Sequence, residues 1–447
     1  MPTNPPDQFP TFSPALPARP WRVGLIGFGC VGQGLYDILH QRPEAGFVIS
    51  RIVVKNPTKA RPLPAERFEF DADLLLADDS LDVLVEVIDD ADTAFRLVSE
   101  ALRRGRRVVT ANKAMLARHL PALVQLQRET GGTLLYEAAV CGSIPVIRTL
   151  DAYFGTEPLR RLTGILNGSS NYVLTRMGEQ GSDYAPALAE AQQLGFAETD
   201  PSLDMGAFDP RSKAVLLAAH AYGAFLEPEQ ILNLGIEGIG AVDIAFAASQ
   251  GQKIKVVAGL QRLPDGRVTV LVTPQLVGPE SPLYTVDHEF NGVVIEADFA
   301  GEQFLRGRGA GGHPTGSAVL ADLAALRQGF AYQYHKAAEA PEYAADLEVE
   351  IYLRTNEPRI IDLLDFSEIS EEADEDGYVV GYVALQHLIR HRDTLRQYGA
   401  FIVRTGRLRP VGEAVEVLAV AEIGGAISPA HLWNPGSRQC GEFSDFR

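Results

Sequence analysis

The sequence predicts an α/β protein: a doubly wound parallel sheet, then an α+β region, then a small C-terminal α+β unit. Three observations carry this. Short apolar runs alternate with helical periodicities from residue 21 to 136. The first run leads at once into a glycine turn and a helix. Beyond residue 136 helices and β-like runs mix, and from residue 345 an acidic run is followed by a basic helix.

Residues 1–20 are proline-rich and poor in charge, and read as a disordered leader or a packing arm. Arg22 to Ile26 is a short apolar strand. Gly27-Phe28-Gly29-Cys30-Val31-Gly32 follows, and Leu35, Ile38 and Leu39 then recur at helical spacing. Phe47 to Val54, Leu81 to Ile88, Arg107 to Thr110 and Leu134 to Tyr136 read as further strands, with a helix over Thr93 to Arg103. Between 137 and 304 helices are expected at Ile144–Ala152, Asn171–Glu179, Tyr184–Leu194 and Arg211–Tyr222. Strands are expected at Ile254–Gly259, Val268–Thr273 and Gly292–Ala297. Residues 305–335, with a helix over 315–328, are assigned back to the first domain. The last unit, 345–447, holds strands at Glu348–Arg354 and Tyr378–Leu385, a helix at His387–Tyr398, and strands at Ala400–Arg404 and Glu416–Val420.

Composition narrows the function. The 447 residues are enough for two to four domains of roughly 100–200 residues each. A hydrophobic share of 46% with 22% charged residues is that of a soluble globular protein. The net charge of −18 opposes non-specific binding of nucleic acid or anionic membrane. Cys30, Cys141 and Cys440 are scattered, without a disulfide framework or a zinc-type pair. No signal peptide or spanning segment is evident. A cytoplasmic protein with a small-molecule substrate, and neither nucleic acid nor membrane as partner, is expected.

Gly27, Gly29 and Gly32 sit between strand and helix, the context a dinucleotide-binding fingerprint requires; the plain alternative is a structural turn. An NAD site usually has an acid at the end of the second strand. Here Lys55 and Lys59 follow instead. They suit the 2′-phosphate of NADP, or are two solvated lysines. Lys113, in VVTANKAML, follows a strand whose carboxyl end should face the cofactor crevice; alone it would read as a surface residue. Glu198, Asp200, Asp204 and Asp209 crowd ahead of an apolar helix that opens with Arg211 and Lys213. Asp209 and Lys213 share a helix face, either as an exposed ion pair or as part of a buried site. Acids there can hold a substrate ammonium, and a lysine can protonate a developing alkoxide. The segment Asn167–Asn171 opens a helix and suits a substrate carboxylate. Arg306 to Thr315 is a second glycine cluster, either a cofactor contact or a connector, with His313 the one histidine under suspicion. Cys141 has no histidine beside it in sequence and is not read as a nucleophile.

Together the ordered segments GLIGFGCVGQG, VVTANKAMLA, YEAAVCGSIPVIRTL, GILNGSSNYVLTRM, FAETDPSLDMGAFDPRSK, DIAFAASQGQKIKVVA and GRGAGGHPTGSAV resemble homoserine dehydrogenase over about residues 21–328. The resemblance implies reversible NAD(P)H-dependent reduction of L-aspartate 4-semialdehyde to L-homoserine, on the route to threonine, methionine and isoleucine. It implies Lys213 as proton donor and Lys113 as the second lysine of the site. Glu198 and Asp209 would bind substrate, with Asp204 in support. Gly27, Gly29, Cys30, Val31, Gly32, Lys55, Lys113, Gly195 and Gly311 would contact the cofactor, NADP with NAD as the alternative. Glu137, Val140, Gly142 and Ile144 would hold a structural monovalent cation, sodium or potassium. A homodimer or homotetramer is implied, with a catalytic and dimerisation domain over 137–304 and a degenerate ACT-like domain over 345–447.

Two departures stand out. Asp89-Asp90 replaces a glycine pair usual in the family, and Asn356-Glu357-Pro358-Arg359 lacks the glycine of an effector-binding ACT turn, which puts threonine feedback in doubt. A dehydrogenase for a related amino-acid aldehyde, or a non-catalytic NAD(P)-binding regulator, are the alternatives. Retention of both lysines with Glu198 and Asp209 favours the first reading.

Overall fold

The computed structural model describes residues 19–373 and 377–412. Most of the leader, the strand expected at 416–420, and Cys440 lie outside the described residues. Arg19, at the leader's end, makes a two-pronged contact to Asp82 at 2.7 and 2.8 Å.

The first unit alternates strand and helix: β1 (Trp21–Ile26), α1 (Cys30–Gln41), β2 (Phe47–Val53), β3 (Phe68–Glu69), α2 (Asp73–Leu76), β4 (Val83–Glu86), α3 (Ala91–Arg103), β5 (Arg107–Thr110), α4 (Lys113–Thr130) and β6 (Thr133–Leu135). Its strands run parallel in the order β3-β2-β1-β4-β5-β6. Central strands such as β4 are buried throughout, as parallel strands covered on both faces must be. The order reverses between β1 and β4, and such a switch point opens a ligand crevice at the carboxyl ends of the strands. Helix α4 was not foreseen. Its apolar positions are broken by charges and by Pro121, so the period is faint.

The middle unit holds α5 (Val146–Arg148), β7 (Leu159–Ile165), α6 (Gly168–Gln180), α7 (Tyr184–Gln193), α8 (Ser202–Met205), α9 (Phe208–Tyr222), β8 (Leu232–Asn233), α10 (Ala241–Ser249), β9 (Lys253–Arg262), β10 (Val268–Val277), β11 (Phe290–Ala297) and β12 (Gly301–Arg308). Where one helix was expected over Ile144–Ala152, α5 gives way to a wide π-helical turn over Thr149–Tyr153. That turn carries Asp151 inward, where its carboxylate accepts the backbone N–H groups of Gln333 and Tyr334. The glycine cluster Arg306–Thr315 divides between the end of β12 and the start of α11 (Gly312–Arg327). Strand β12 is an exposed edge without an apolar alternation to announce it.

Helix α11 returns to the first unit and crosses α1. The crossing demands glycine: a Cβ on Gly34 would lie 2.1 Å from the Gly312 carbonyl, and one on Gly316 would lie 2.7 Å from the Leu35 nitrogen.

The C-terminal unit runs β13 (Leu347–Arg354), α12 (Arg359–Leu364), β14 (Glu368–Ala373), β15 (Tyr378–Ala384), α13 (Leu385–Gln397) and β16 (Phe401–Pro410). Its four strands are antiparallel in the order β16-β13-β15-β14, a split β-α-β arrangement. Much of the expected acidic run forms β14. Strand β16 touches β10 through one parallel pair, Gln275 with Arg404, so this unit extends the middle sheet to ten strands. Among the described residues no helix is long and apolar enough to cross a membrane.

The α1–α11 crossing yields a stability test. Gly34→Ala forces a methyl into a backbone carbonyl, and overpacking of this kind costs about 1–3 kcal/mol. Gly178→Ala, in α6, meets nothing and should be neutral or stabilising. Urea denaturation of the two variants checks this contrast.

Candidate active site

The carboxyl ends of β4 and β5 and the first turn of α9 enclose one cluster of charge. Asn112 caps α4 by accepting the Met115 N–H at 2.9 Å, which places Lys113 at the helix's first position. Helix α4 packs on α9 and brings Lys113 to Asp209. The Lys113 Nζ lies 2.8 Å from one Asp209 oxygen, and the Lys213 Nζ lies 2.7 Å from the other. Lys213 is enclosed, its side chain 8% exposed, while that of Lys113 is 44% exposed and faces the crevice. Lys213 also donates to the Leu166 carbonyl at 2.7 Å. Two of its three protons are thus engaged, and the third is free for an oxygen brought into the site.

Asn167 ties in the second acid. Its Nδ2 donates to Asp204 at 2.7 Å and to Asp209 at 2.9 Å, while its Oδ1 caps α6 through the Ser170 N–H. The sequence pointed to this segment for its amides; the side chain of Asn167 turns out to join the acids. Burial, and next the Asp209 charge, push the Asp204 carboxyl up. Burial works the same way on Asp209, but Lys113 and Lys213 overcome it and hold that carboxyl well below the usual range. Asp209 in turn raises the Lys113 ammonium, with smaller contributions from Asp204 and Glu198. Glu198 is exposed beside this group; Asp200 is exposed and accepts the Ser202 N–H at 3.1 Å. A buried ammonium with a free donor, oriented by a carboxylate, can hold negative charge as it develops on an oxygen and pass it a proton.

The glycine turn fits a dinucleotide. Gly27 has φ +103°, and a Cβ there would lie 2.8 Å from the Val87 carbonyl. A Cβ on Gly29 would meet nothing, so open space lies above the turn where a pyrophosphate approaches. Cys30, Val31 and Gly32 open α1, whose first amides lack intrahelical partners and suit an anion. Lys55 is exposed past the end of β2. Asp90, one of the two acids in place of glycines, is the N-cap of α3, accepting the Thr93 N–H at 2.7 Å. Its carboxyl is lowered chiefly by Thr93 and least by the charge of Lys55. Gly311 precedes α11 with φ +110°, and Gly195 follows α7 with φ +76°. Ser169 of α6 donates to the Phe196 carbonyl at 2.5 Å, which ties the Gly195 turn to the Asn167 segment.

Glu137, Val140, Gly142 and Ile144 line a turn packed against the end of β12, where Ser143 donates its N–H to the Arg308 carbonyl at 3.0 Å. Both Glu137 oxygens accept backbone N–H groups, of Ile147 at 2.8 Å and Arg148 at 2.7 Å. Burial, then the Asp322 charge, push the Glu137 carboxyl up to about 8. Among the described residues no group of three or more imidazole, thiol or carboxylate side chains is placed to hold a metal ion. Burial pushes the Cys141 thiol up to about 12, which leaves it a poor nucleophile. His313 is exposed, 3.7 Å from Asp37 and apart from the lysine cluster.

Among the buried acids that the sequence reading did not single out, one stands at this crevice. Glu86, at the end of β4, is fully buried, bonded to Thr110 and to the Ile88 N–H, and burial pushes its carboxyl up to about 7. An acid inside the apolar run Val83–Ile88 was the available signal. A separate cavity of about 270 Å³ lies between α6, α10 and β9, away from this chemistry. Its buried Lys255 is occupied by Asp287, Asn171 and the Val286 carbonyl.

Comparison with known proteins agrees with this geometry. The homoserine dehydrogenase family profile matches residues 145–324, and the profile for the homoserine dehydrogenase NAD-binding domain matches 27–137. The chain is 37% identical to the homoserine dehydrogenase of Mycobacterium tuberculosis over 316 residues, covering 68% of this chain and 72% of the relative. It is 35% identical to that of Synechocystis over 317 residues, with the same coverage. The crystal structure of a homoserine dehydrogenase from Thiobacillus denitrificans superposes with a TM-score of 0.75 at 28% identity, over 87% of this chain and 98% of that one. A hyperthermophilic archaeal homoserine dehydrogenase in complex with NADPH superposes with a TM-score of 0.59 at 26% identity, over 70% of this chain and 99% of that one. A nucleotide crevice and a lysine–carboxylate cluster, on a chain so similar to these enzymes, have one assignment: the chain belongs to the homoserine dehydrogenase family of NAD(P)-dependent oxidoreductases acting on a CH–OH group.

Proposed function

We propose that this chain reversibly reduces L-aspartate 4-semialdehyde to L-homoserine with NAD(P)H, in the synthesis of threonine, methionine and isoleucine. The observation that carries the reading is Asp209 held between Lys113 and Lys213 beside the nucleotide crevice. The cofactor, when bound, supplies the hydride. Lys213 stabilises the charge that grows on the aldehyde oxygen and gives it a proton from the donor that Asp209 and Leu166 leave free. Lys113 faces the crevice and positions substrate against the nicotinamide end. Glu198, Asp204 and Asp209 supply negative charge for the substrate ammonium and hydroxyl.

Gly27, Gly29, Cys30, Val31, Gly32, Gly195 and Gly311 are assigned to the cofactor. Lys55, in a segment with no acid to hold a ribose hydroxyl, supports NADP over NAD. Glu137, Val140, Gly142 and Ile144 are assigned to a structural sodium or potassium ion through the turn's oxygens. The units 21–136 with 305–335, 137–304 and 345–447 are read as the nucleotide-binding, catalytic and ACT-like domains of a cytoplasmic homodimer or homotetramer.

An absorbance assay at 340 nm with L-homoserine tests the reading. Wild type should reduce NADP faster than NAD, and Lys213→Ala should lose about 10²- to 10⁴-fold in kcat, the range for general acid–base catalysis. No turnover with either cofactor, despite measurable cofactor binding, would sink it.

Asp209 also ties stability to pH. Its folded pKa lies below the unfolded value of about 4, so its contribution is complete above that value and fades as pH falls through and below it. Asp209→Asn should therefore cost roughly 3–5 kcal/mol at pH 7, because Lys213 is left buried without its counter-charge. The cost should shrink at pH 3, as urea denaturation at both pH values would measure.

A further inference from the structure

The ends of β4 and β5 are joined by a closed ring of hydrogen bonds that nothing in the reading above uses. Glu86 accepts the Ile88 N–H at 2.8 Å with one oxygen and the Thr110 hydroxyl with the other. The Thr110 hydroxyl accepts the Asn112 N–H at 3.0 Å. The Asn112 Nδ2 returns to the Ile88 carbonyl at 3.1 Å and closes the ring. The same Asn112 caps α4 through Met115, and the next residue is Lys113. Glu86 is 0% exposed, and among the described residues no cation contributes to the shift of its carboxyl.

A carboxyl buried without a counter-charge is costly, and the hydrogen bonds it makes are its compensation. Here those bonds fix two turns against each other. One is the Ile88–Asp90 turn that borders the crevice. The other starts α4 and sets where the Lys113 side chain leaves the backbone. Lys113 must reach Asp209 at 2.8 Å from a different unit of the chain, so a small tilt of the α4 start moves its Nζ out of register.

We propose that Glu86 is a positioning residue for the dehydrogenase reaction, acting through Thr110 and Asn112 on Lys113. The inference rests on Lys113 taking part in the reaction, and the test separates the two. Glu86→Gln keeps an oxygen to accept the Ile88 N–H and gains an amide N–H to donate to the Thr110 oxygen, so the ring survives with one bond reversed. Glu86→Ala opens the ring, and Thr110→Val opens it from the other side while leaving Glu86 in place.

The experiment is a double-mutant cycle on kcat/KM for L-homoserine at saturating cofactor, using Glu86→Ala, Glu86→Gln, Thr110→Val and Lys113→Ala in the full chain. Glu86→Ala and Thr110→Val should each lower kcat/KM about tenfold, mostly in kcat, with Glu86→Gln within about threefold of wild type. In the Lys113→Ala background the further loss from Glu86→Ala should fall below about twofold, because the residue it positions is gone. A role in stability alone would give the same loss in both backgrounds, and that result overturns the proposal. So does wild-type kinetics in Glu86→Ala and Thr110→Val. Should Glu86→Ala not fold, Thr110→Val carries the cycle. If Lys113→Ala itself turns over normally, the assignment of Lys113 falls first, and this inference with it.

Discussion

Asp209 is buried, and three donors meet on its two oxygens: the ammonium of Lys113, the ammonium of Lys213 and the amide of Asn167. Each donor comes from a different segment. Lys113 opens α4 in the nucleotide-binding unit, Asn167 caps α6, and Lys213 lies one turn along the helix that carries Asp209. A buried carboxylate in this state is stable only while all its partners stay. The requirement runs both ways, since among the described residues Lys213 ion-pairs with Asp209 alone. The geometry of the site and the register between the two units are therefore one constraint.

The fold meets this constraint with rigid parts. Lys113 is placed by a helix start that is capped and tied to the neighbouring strand end. Asp209 and Lys213 share a face of α9, a helix buried along most of its length. Asn167 uses its carbonyl oxygen for a cap and its amide for the acids, so the start of α6 and the charge cluster settle together. The nucleotide crevice lies at the strand-order reversal of the same sheet whose β5 delivers Lys113. The crevice and Lys113 thus meet by topology rather than by a mobile loop.

Much of this was legible in the residues. The β1 strand, the glycine turn and α1 follow from an apolar run, three glycines at fixed spacing and a helical period. The strand Arg107–Thr110 was read to the residue, and Asp209 with Lys213 announced itself by i,i+4 spacing at the mouth of an apolar helix. Other features left no local mark. Edge strand β12 has an exposed sequence that could be any loop, because an edge needs no buried face. The π-helical turn at Thr149–Tyr153 answers to Gln333 and Tyr334, far along the chain. The surroundings of Glu86 were hidden for the same reason: its partners, Thr110 and Asn112, lie 24 and 26 positions on, and an acid at a strand end ordinarily points to water. The role of Asn167 was half visible, since its place at a helix start could be read but its reach to Asp204 and Asp209 could not.

The chain passes between the nucleotide-binding and middle units three times: it leaves after β6, re-enters at α11, where Gly34, Gly312 and Gly316 let two backbones touch, and leaves again toward the turn at His335–Ala338 that packs on α9. The glycine contact seats α11 directly on α1 inside the first unit. The returning chain is thereby fixed to the same sheet that carries Lys113, instead of crossing the surface as a loose strap.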